Sequence, residues 1–191
     1  MLHLGPYNLF LVPKYLALFR GINVSGHNLV KMAALRHFFE GLNFTEVKSY
    51  IQSGNIIFFS EISGTKQLEA HLEKEFNRSF GFKSPVLILN PEKVALALNT
   101  HPFLNDKREE DSSIYYIFLK ESPATEKRDE LASANYEFER CFLYEDYLYL
   151  ECFKGMGKAK LNTNLIEKKL GVSATARNER TMQKLHDLLK D

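Results

Sequence analysis

Residues 47–60, VKSYIQSGNIIFFS, decide how the rest of the chain is read. Two β-favouring runs, Val47 to Ile51 and Ile56 to Ser60, flank Ser53-Gly54-Asn55. Gly and Asn tolerate the positive φ that a tight antiparallel turn demands, so the segment reads as a β-hairpin. Upstream, Met32, Leu35, Phe38, Phe39 and Leu42 recur at helical spacing from Lys31 to a stop near Gly41. Before that helix, Tyr15 to Arg20 is a short apolar run ended by Gly21, which reads as a strand. The residues between, Gly21 to Val30, are rich in Gly, Asn and Ser and read as a loop. Downstream, Thr65 to Phe80 carries Leu68, Leu72 and Phe76 on one stripe and is capped by Gly81, a second helix. Val86 to Leu89 closes the unit as a strand. The order is β-α-β-β-α-β, that of a ferredoxin-like sandwich.

After a connecting helix, Pro91 to Asn99, the order starts again. Ile114 to Leu119 reads as a strand and Pro123 to Ala134 as a helix with Pro in its first turn. Glu137 to Tyr144 and Tyr147 to Phe153 form a hairpin, and Leu161 to Leu170 is a helix stopped by Gly171. A last helix, Glu179 to Leu189, takes the place of a fourth strand. The expected fold is therefore α+β: two ferredoxin-like halves, a structural duplication read from element order, with an extra C-terminal helix. The expected organisation is an N-terminal extension (1–13), a first lobe with its connecting helix (14–99) and a second lobe (100–191).

The 191 residues are 45% hydrophobic and 26% charged with a net charge of +1, which excludes disordered and fibrous classes. The apolar opening is broken by Asn8 and Pro13 and is too short to span a bilayer. It also lacks a basic leading region and a small-residue cleavage site, so no signal peptide and no membrane partner are expected. Cys141 and Cys152 are too few for a disulfide framework. With a two-residue turn at Glu145-Asp146, Cys141 faces Leu150 and lies diagonal to Cys152, about 7–8 Å away and too far for an unstrained bridge. Both read as buried hydrophobes in a reducing compartment, hence a cytoplasmic protein.

Charge is unevenly spread. Residues 1–99 hold 10 basic and 7 acidic side chains, residues 100–151 hold 6 and 13, and residues 152–191 hold 9 and 4. An acidic stretch followed by a basic tail implies either internal complementarity or a face for an anionic partner.

Residues 18–58, LFRGINVSGHNLVKMAALRHFFEGLNFTEVKSYIQSGNIIF, resemble the opening signature of a bacterial family catalogued as domain of unknown function 1697. Residues 158–185, KAKLNTNLIEKKLGVSATARNERTMQKL, resemble its closing signature, and the resemblance spans about residues 14–190. It implies an α+β fold of duplicated ferredoxin-like halves and no particular activity. Ser25 stands where the family typically has Gly, and Glu179 where an aromatic typically follows Arg-Asn.

Four constellations carry candidate chemistry. In a ferredoxin-like half the first strand–helix loop and the hairpin tip lie at the same end of the sheet, which brings the loop of Arg20, Asn23, Ser25, His27 and Asn28, with Lys31 at the helix start, close to Gln52, Ser53 and Asn55. Arginine, amide and hydroxyl groups beside helix N–H groups suit a phosphate or carboxylate. The plainer alternative is a structural loop in which Asn28 or Ser25 caps the helix. The glycines at 21 and 26 fit neither a Walker loop nor a dinucleotide fingerprint. Ser53 with His27 as base would be a nucleophile pair, although Ser in such a turn is ordinary turn chemistry. The basic loop around Lys158 and Lys160 is a further phosphate grip or a solvated loop. Arg177 and Asn178 at a helix start offer planar donors, or else Asn178 is an N-cap and Arg177 pairs with the acidic second lobe. No His, Cys, Asp or Glu spacing matches a metal site, and no cofactor motif is present.

The sequence thus points to a cytoplasmic module for an anionic ligand, either phosphate-bearing, nucleotide or RNA. The alternatives are a small hydrolase or transferase using Arg20, Asn23, His27 and Arg177 in a cleft between lobes, and a protein–protein adaptor using the acidic residues 106–111.

Overall fold

The structure is a computed structural model that describes residues 12–24, 26–103, 112–144 and 146–190. The first half runs β1 (Lys14–Phe19), α1 (Met32–Gly41), β2 (Thr45–Tyr50), β3 (Asn55–Phe59), α2 (Thr65–Phe80) and β4 (Val86–Leu89), joined by α3 (Pro91–Asn99) to the second. The second half runs β5 (Ser113–Leu119), α4 (Thr125–Ser133), β6 (Glu139–Leu143), β7 (Tyr147–Cys152), α5 (Thr163–Leu170) and β8 (Ala174–Asn178), followed by α6 (Glu179–Lys190). Each half holds an antiparallel four-stranded sheet, in the order β2-β3-β1-β4 and β6-β7-β5-β8. These are the same ferredoxin-like order twice, so the duplication read from element order is present in the fold.

One element corrects the sequence reading. A fourth strand does close the second half: β8 pairs antiparallel with β5, with Leu119 opposite Ala174 and Tyr116 opposite Arg177. Its sequence, ATARN, has no run of bulky β-branched residues, so propensity is silent and register against β5 supplies the strand. The helix α6 is therefore an addition to a complete half, not a replacement for its last strand.

The period-2 alternation of the strands builds the core in layers. Tyr15, Ala17, Phe19, Ile56, Phe58, Val86 and Ile88 face α1 and α2, meeting Leu35, Phe39, Leu72 and Phe76. The intervening residues Leu16, Leu18, Ile57, Leu87 and Leu89 point to the opposite face. There they meet Tyr116, Phe118, Tyr147 and Tyr149 of the second sheet, together with Val94 and Ala97 of α3 and Met182, Leu185 and Leu189 of α6. A third cluster lies between the second sheet and α4 and α5. Both faces of each sheet are thus covered. The sheet face that ferredoxin-like RNA readers expose lies inside the central core in this chain: Ile57 is buried there, and Phe58 is buried under the helices.

The second hairpin has the register expected from its turn, with Cys141 opposite Leu150 and both cysteines free. Among the described residues, no helix is long and apolar enough to cross a membrane. The segment 1–11, Ser25 and the acidic segment 106–111 lie outside the described residues.

A candidate anion-binding cleft between the two halves

The loop after β1 and the tip of the β2–β3 hairpin do meet, and one side chain joins them. Asn23 adopts φ 54°, a left-handed conformation that Asn tolerates better than most residues. From there its Nδ2 donates to the carbonyls of Val30 (2.9 Å) and Gln52 (2.8 Å), while its Oδ1 accepts from the Val30 amide at 2.8 Å. Asn28, also left-handed at φ 51°, donates to the Gly21 carbonyl at 3.0 Å. Asn28 therefore closes the loop and does not cap the helix; Lys31 occupies the cap position without a side-chain bond. Gly54 lets the hairpin tip approach β1. Its φ is +74°, and a Cβ there would sit 2.6 Å from Ile22 Cδ1 and 2.7 Å from Phe19 Cβ.

Arg177 enters this junction from the second half. It is 9% exposed. Its Nε donates to Asn55 Oδ1 at 2.5 Å, its Nη2 to the carbonyls of Phe19 (3.1 Å) and Ser53 (2.9 Å), and its Nη1 to the carbonyl of Ala176 (2.8 Å). Asn55, fully buried, is turned to accept by its own Nδ2 bonds to the Tyr50 carbonyl and Ser53 Oγ. Every one of these partners is neutral. Among the described residues Arg177 has no carboxylate partner, which corrects the expected pairing with the acidic second lobe. Burial first, and then the charge of Arg20, push its pKa down to about 10.

Arg20 extends β1 and crosses in the other direction. Its Nε and Nη2 grip the Glu167 carboxylate at 2.9 and 2.5 Å, and Nη2 also donates to Asn164 Oδ1 at 2.8 Å. Its Nη1 bonds to no described residue. Arg20, Val24, Ser53, Thr163, Thr175 and Arg177 line a cleft of about 250 Å³ between the halves. Thr163 opens α5, whose N-cap Asn162 accepts from the Leu165 amide at 3.1 Å, so a helix start also faces the cleft.

The duplication supplies a built-in comparison. Lys120 extends β5 as Arg20 extends β1, and it pairs with Glu73 of α2 as Arg20 pairs with Glu167 of α5. Each glutamate also accepts the amide that opens the edge strand of its own half, Glu73 from Val86 and Glu167 from Ala174, both at 2.8 Å. The amides of Arg20 and Lys120 donate to Pro85 and Ser173. A related cleft of about 180 Å³ lies beside Lys120, lined by Lys66, Glu69, Leu89 and Asp146 among others. There Leu89, three residues into its edge strand, stands where Arg177 stands in the other. The cations around it are matched by carboxylates: Lys66 by Glu69, Lys120 by Glu73 and Lys93 by Asp146. The frame is common to both clefts, and the uncompensated buried cation belongs to one.

Of the residues singled out in the sequence, Arg20, Ser53 and Arg177 line the cleft, while Asn23, Asn28, Gln52 and Asn55 hold its walls. His27 and Lys31 are exposed away from the lining. Ser53 Oγ accepts from Asn55, and no bond joins it to His27. Lys158 and Lys160 are exposed on their loop, and the Lys160 amide is bonded to buried Glu139 at 2.8 Å. Asn178 caps α6 through the Thr181 amide, again at 2.8 Å. Ser25 lies outside the described residues. Sequence reasoning missed Thr163, Asn164 and Glu167. The Asn162 cap signal was readable; the approach of Asn164 and Glu167 to Arg20 across more than 140 positions was not. Among the described residues no cluster of His, Cys, Asp and Glu could hold a metal ion.

No functionally curated protein matches the sequence. Among solved structures, the chain resembles the conserved bacterial protein SP0830 from Streptococcus pneumoniae, with 25% identity and a TM-score of 0.72, covering 93% of this chain and 99% of that one. The profile of the family described as protein of unknown function (DUF1697) matches residues 12–149, and the chain belongs to that family.

Proposed function

We propose that this protein is a binding module whose inter-lobe cleft takes the anionic group, phosphate or carboxylate, of its ligand. The observation that carries this reading is Arg177: a buried guanidinium held only by neutral acceptors, beside a second arginine whose Nη1 has no described partner. A buried cation without a counter-ion is costly, and an anion arriving at the cleft would offset that cost. Hydroxyls of Ser53, Thr163 and Thr175 and the start of α5 add neutral donors of the kind that hold oxyanions. Binding is favoured over hydrolysis because no described base is bonded to Ser53 Oγ. The two free cysteines support a reducing, cytoplasmic setting.

The test is thermal denaturation with inorganic phosphate and with acetate. A ligand at one hundred times its Kd stabilises by about 2.7 kcal/mol, so a saturable rise in Tm is expected with at least one of them. Asn55→Asp sets a carboxylate against Arg177, and this should weaken the anion at least about tenfold, or about 1.4 kcal/mol. No rise with either anion, or a rise that Asn55→Asp leaves unaltered, sinks the reading.

A further inference from the structure

The cleft opens onto a set of apolar side chains that the fold leaves in solvent. Val24 is 57%, Leu29 74% and Ile51 48% exposed, and they make up three of the five large hydrophobic residues exposed among those described. Their positions are not independent. Val24 follows Asn23, Leu29 precedes Val30 and Ile51 precedes Gln52, and the Asn23 side chain bonds to Val30 and Gln52. One asparagine therefore gathers all three at the end of the first half where the cleft opens, and Val24 itself lines the cleft.

Ile51 is also held in an unfavourable conformation. Its φ is +48°, a left-handed geometry that a β-branched residue rarely adopts. The tip stays in place because Gln52 is bonded by Asn23, Ser53 by Arg177 and Gly54 by the Phe19 amide. An exposed isoleucine kept in a strained, over-determined turn serves neither core packing nor turn chemistry; asparagine or glycine would suit the turn better.

Resting on the anion-cleft reading above, we propose that this rim docks a peptide whose terminal carboxylate enters between Arg20 and Arg177 while its aliphatic side chains lie on Val24, Leu29 and Ile51. Charge and shape select that occupant. The cleft of about 250 Å³ admits the charged end of a ligand and leaves the rest on the rim. The rim is aliphatic, whereas single-stranded nucleic acid is gripped by stacking bases on exposed aromatic rings, and none of its three members is aromatic. Planar guanidinium donors match a carboxylate, and capture of a chain terminus beside an apolar surface is an established recognition mode.

The experiment uses the full chain and three probes. The first is a pool of acetylated tetrapeptides, Gly followed by three positions randomised among Leu, Ile, Val and Phe, with a free carboxylate. The second is the same pool amidated, and the third is a short single-stranded RNA. Thermal shift and amide chemical-shift changes at Val24, Leu29 and Ile51 are the readouts, with inorganic phosphate run on every sample to report the cleft separately. The free-acid pool should raise Tm and move those amides, and the amidated pool should lose at least about tenfold in apparent affinity. Ile51→Asn should raise the Tm of the free protein, since it relieves the turn, yet weaken the free-acid pool at least fivefold. Phosphate binding without any peptide effect overturns this inference and leaves the cleft reading standing; loss of both overturns the two together. Equal response to both pools, RNA binding that falls steeply between about 50 and 200 mM salt, or a concentration-dependent dimer that covers the three amides would each overturn the peptide.

Discussion

The Arg177 guanidinium donates from Nε to the Asn55 side-chain carbonyl at 2.5 Å, joining the last strand of the second half to the hairpin of the first across 122 positions. This contact decides the character of the junction, because it is the point at which one half answers the buried charge of the other with a dipole and not with a carboxylate. Asn55 can serve because its own amide group is already committed to Tyr50 and Ser53, which leaves its oxygen pointing at the arginine. The junction is closed by neutral acceptors alone, and the proposed anion site rests on that feature.

Truncating that arginine should be expensive. Arg177→Ala strands Asn55 Oδ1 and the carbonyls of Phe19 and Ser53 at a buried seam, so a loss of about 3–5 kcal/mol is expected in urea denaturation. Arg177→Lys keeps the charge but presents one ammonium in place of a planar fork, and should recover only part of the loss. A change below about 1 kcal/mol for Arg177→Ala would mean that water replaces these bonds and that the residue is no clasp.

The two cross-lobe pairs make an asymmetric prediction. Removing Lys120 or Arg20 breaks a partly buried ion pair at the rim of the seam, worth about 1 kcal/mol. Removing Glu73 or Glu167 breaks the same pair and also leaves the buried Val86 or Ala174 amide without its acceptor, which adds about 1–3 kcal/mol. Glu73→Ala should therefore cost more than Lys120→Ala, and Glu167→Ala more than Arg20→Ala. Equal costs within either pair would show that the amide bond contributes nothing.

How much of this was readable from sequence follows from the range of the interactions involved. The first half was legible because each signal is local: the helical stripe from Met32 to Leu42, the Ser-Gly-Asn turn, and Gly81 after Phe80. Several of its elements have the bounds that the pattern gave, such as Thr65–Phe80, Val86–Leu89 and Pro91–Asn99. The strand Ala174–Asn178 was not legible, because it is defined by its register on β5 and not by the residues it contains. The co-location of the first loop and the hairpin tip followed from topology alone. What Arg177 touches did not: a cation beside an acidic lobe suggested ion pairing, and only three-dimensional packing reveals that its acceptors are neutral oxygens, three of the four carried by the other half.

Gly54 is a third point of test, because it fails a side chain twice over. A Cβ there would meet Ile22 and Phe19 at under 3 Å, and the backbone at φ +74° disfavours any L residue. Gly54→Ala should cost about 3 kcal/mol, adding left-handed strain to overpacking against the β1 end. The clash falls on residues lining the cleft, so the response to phosphate should weaken along with Tm. A neutral Gly54→Ala would show that the tip relaxes freely, and the tight approach of hairpin and β1 would then not matter to the fold.

Cys152 makes the pH dependence specific. Burial first, and then the charges of Glu139 and Glu151, push its thiol up to about 12 from a starting value of 9.0. A raised folded pKa favours the neutral thiol in the fold. Its contribution is complete below about pH 9; above that the unfolded chain releases the proton while the folded chain keeps it, so stability falls as pH rises toward about 12. The slope from this one group is on the order of 1 kcal/mol per pH unit. Tyr149, also raised by burial, starts from 10.0, whereas Cys141, raised by burial from the same 9.0, acts over the same interval, so between pH 9 and 10 it is the comparison with Cys152→Ala that isolates Cys152. Urea midpoints measured across that interval should decline for the native chain and decline less for Cys152→Ala. Superimposable profiles for the two proteins would mean that Cys152 ionises freely in the fold, and a thiol that does so cannot be packed between Glu139 and the Leu148–Leu150 core as the structure places it.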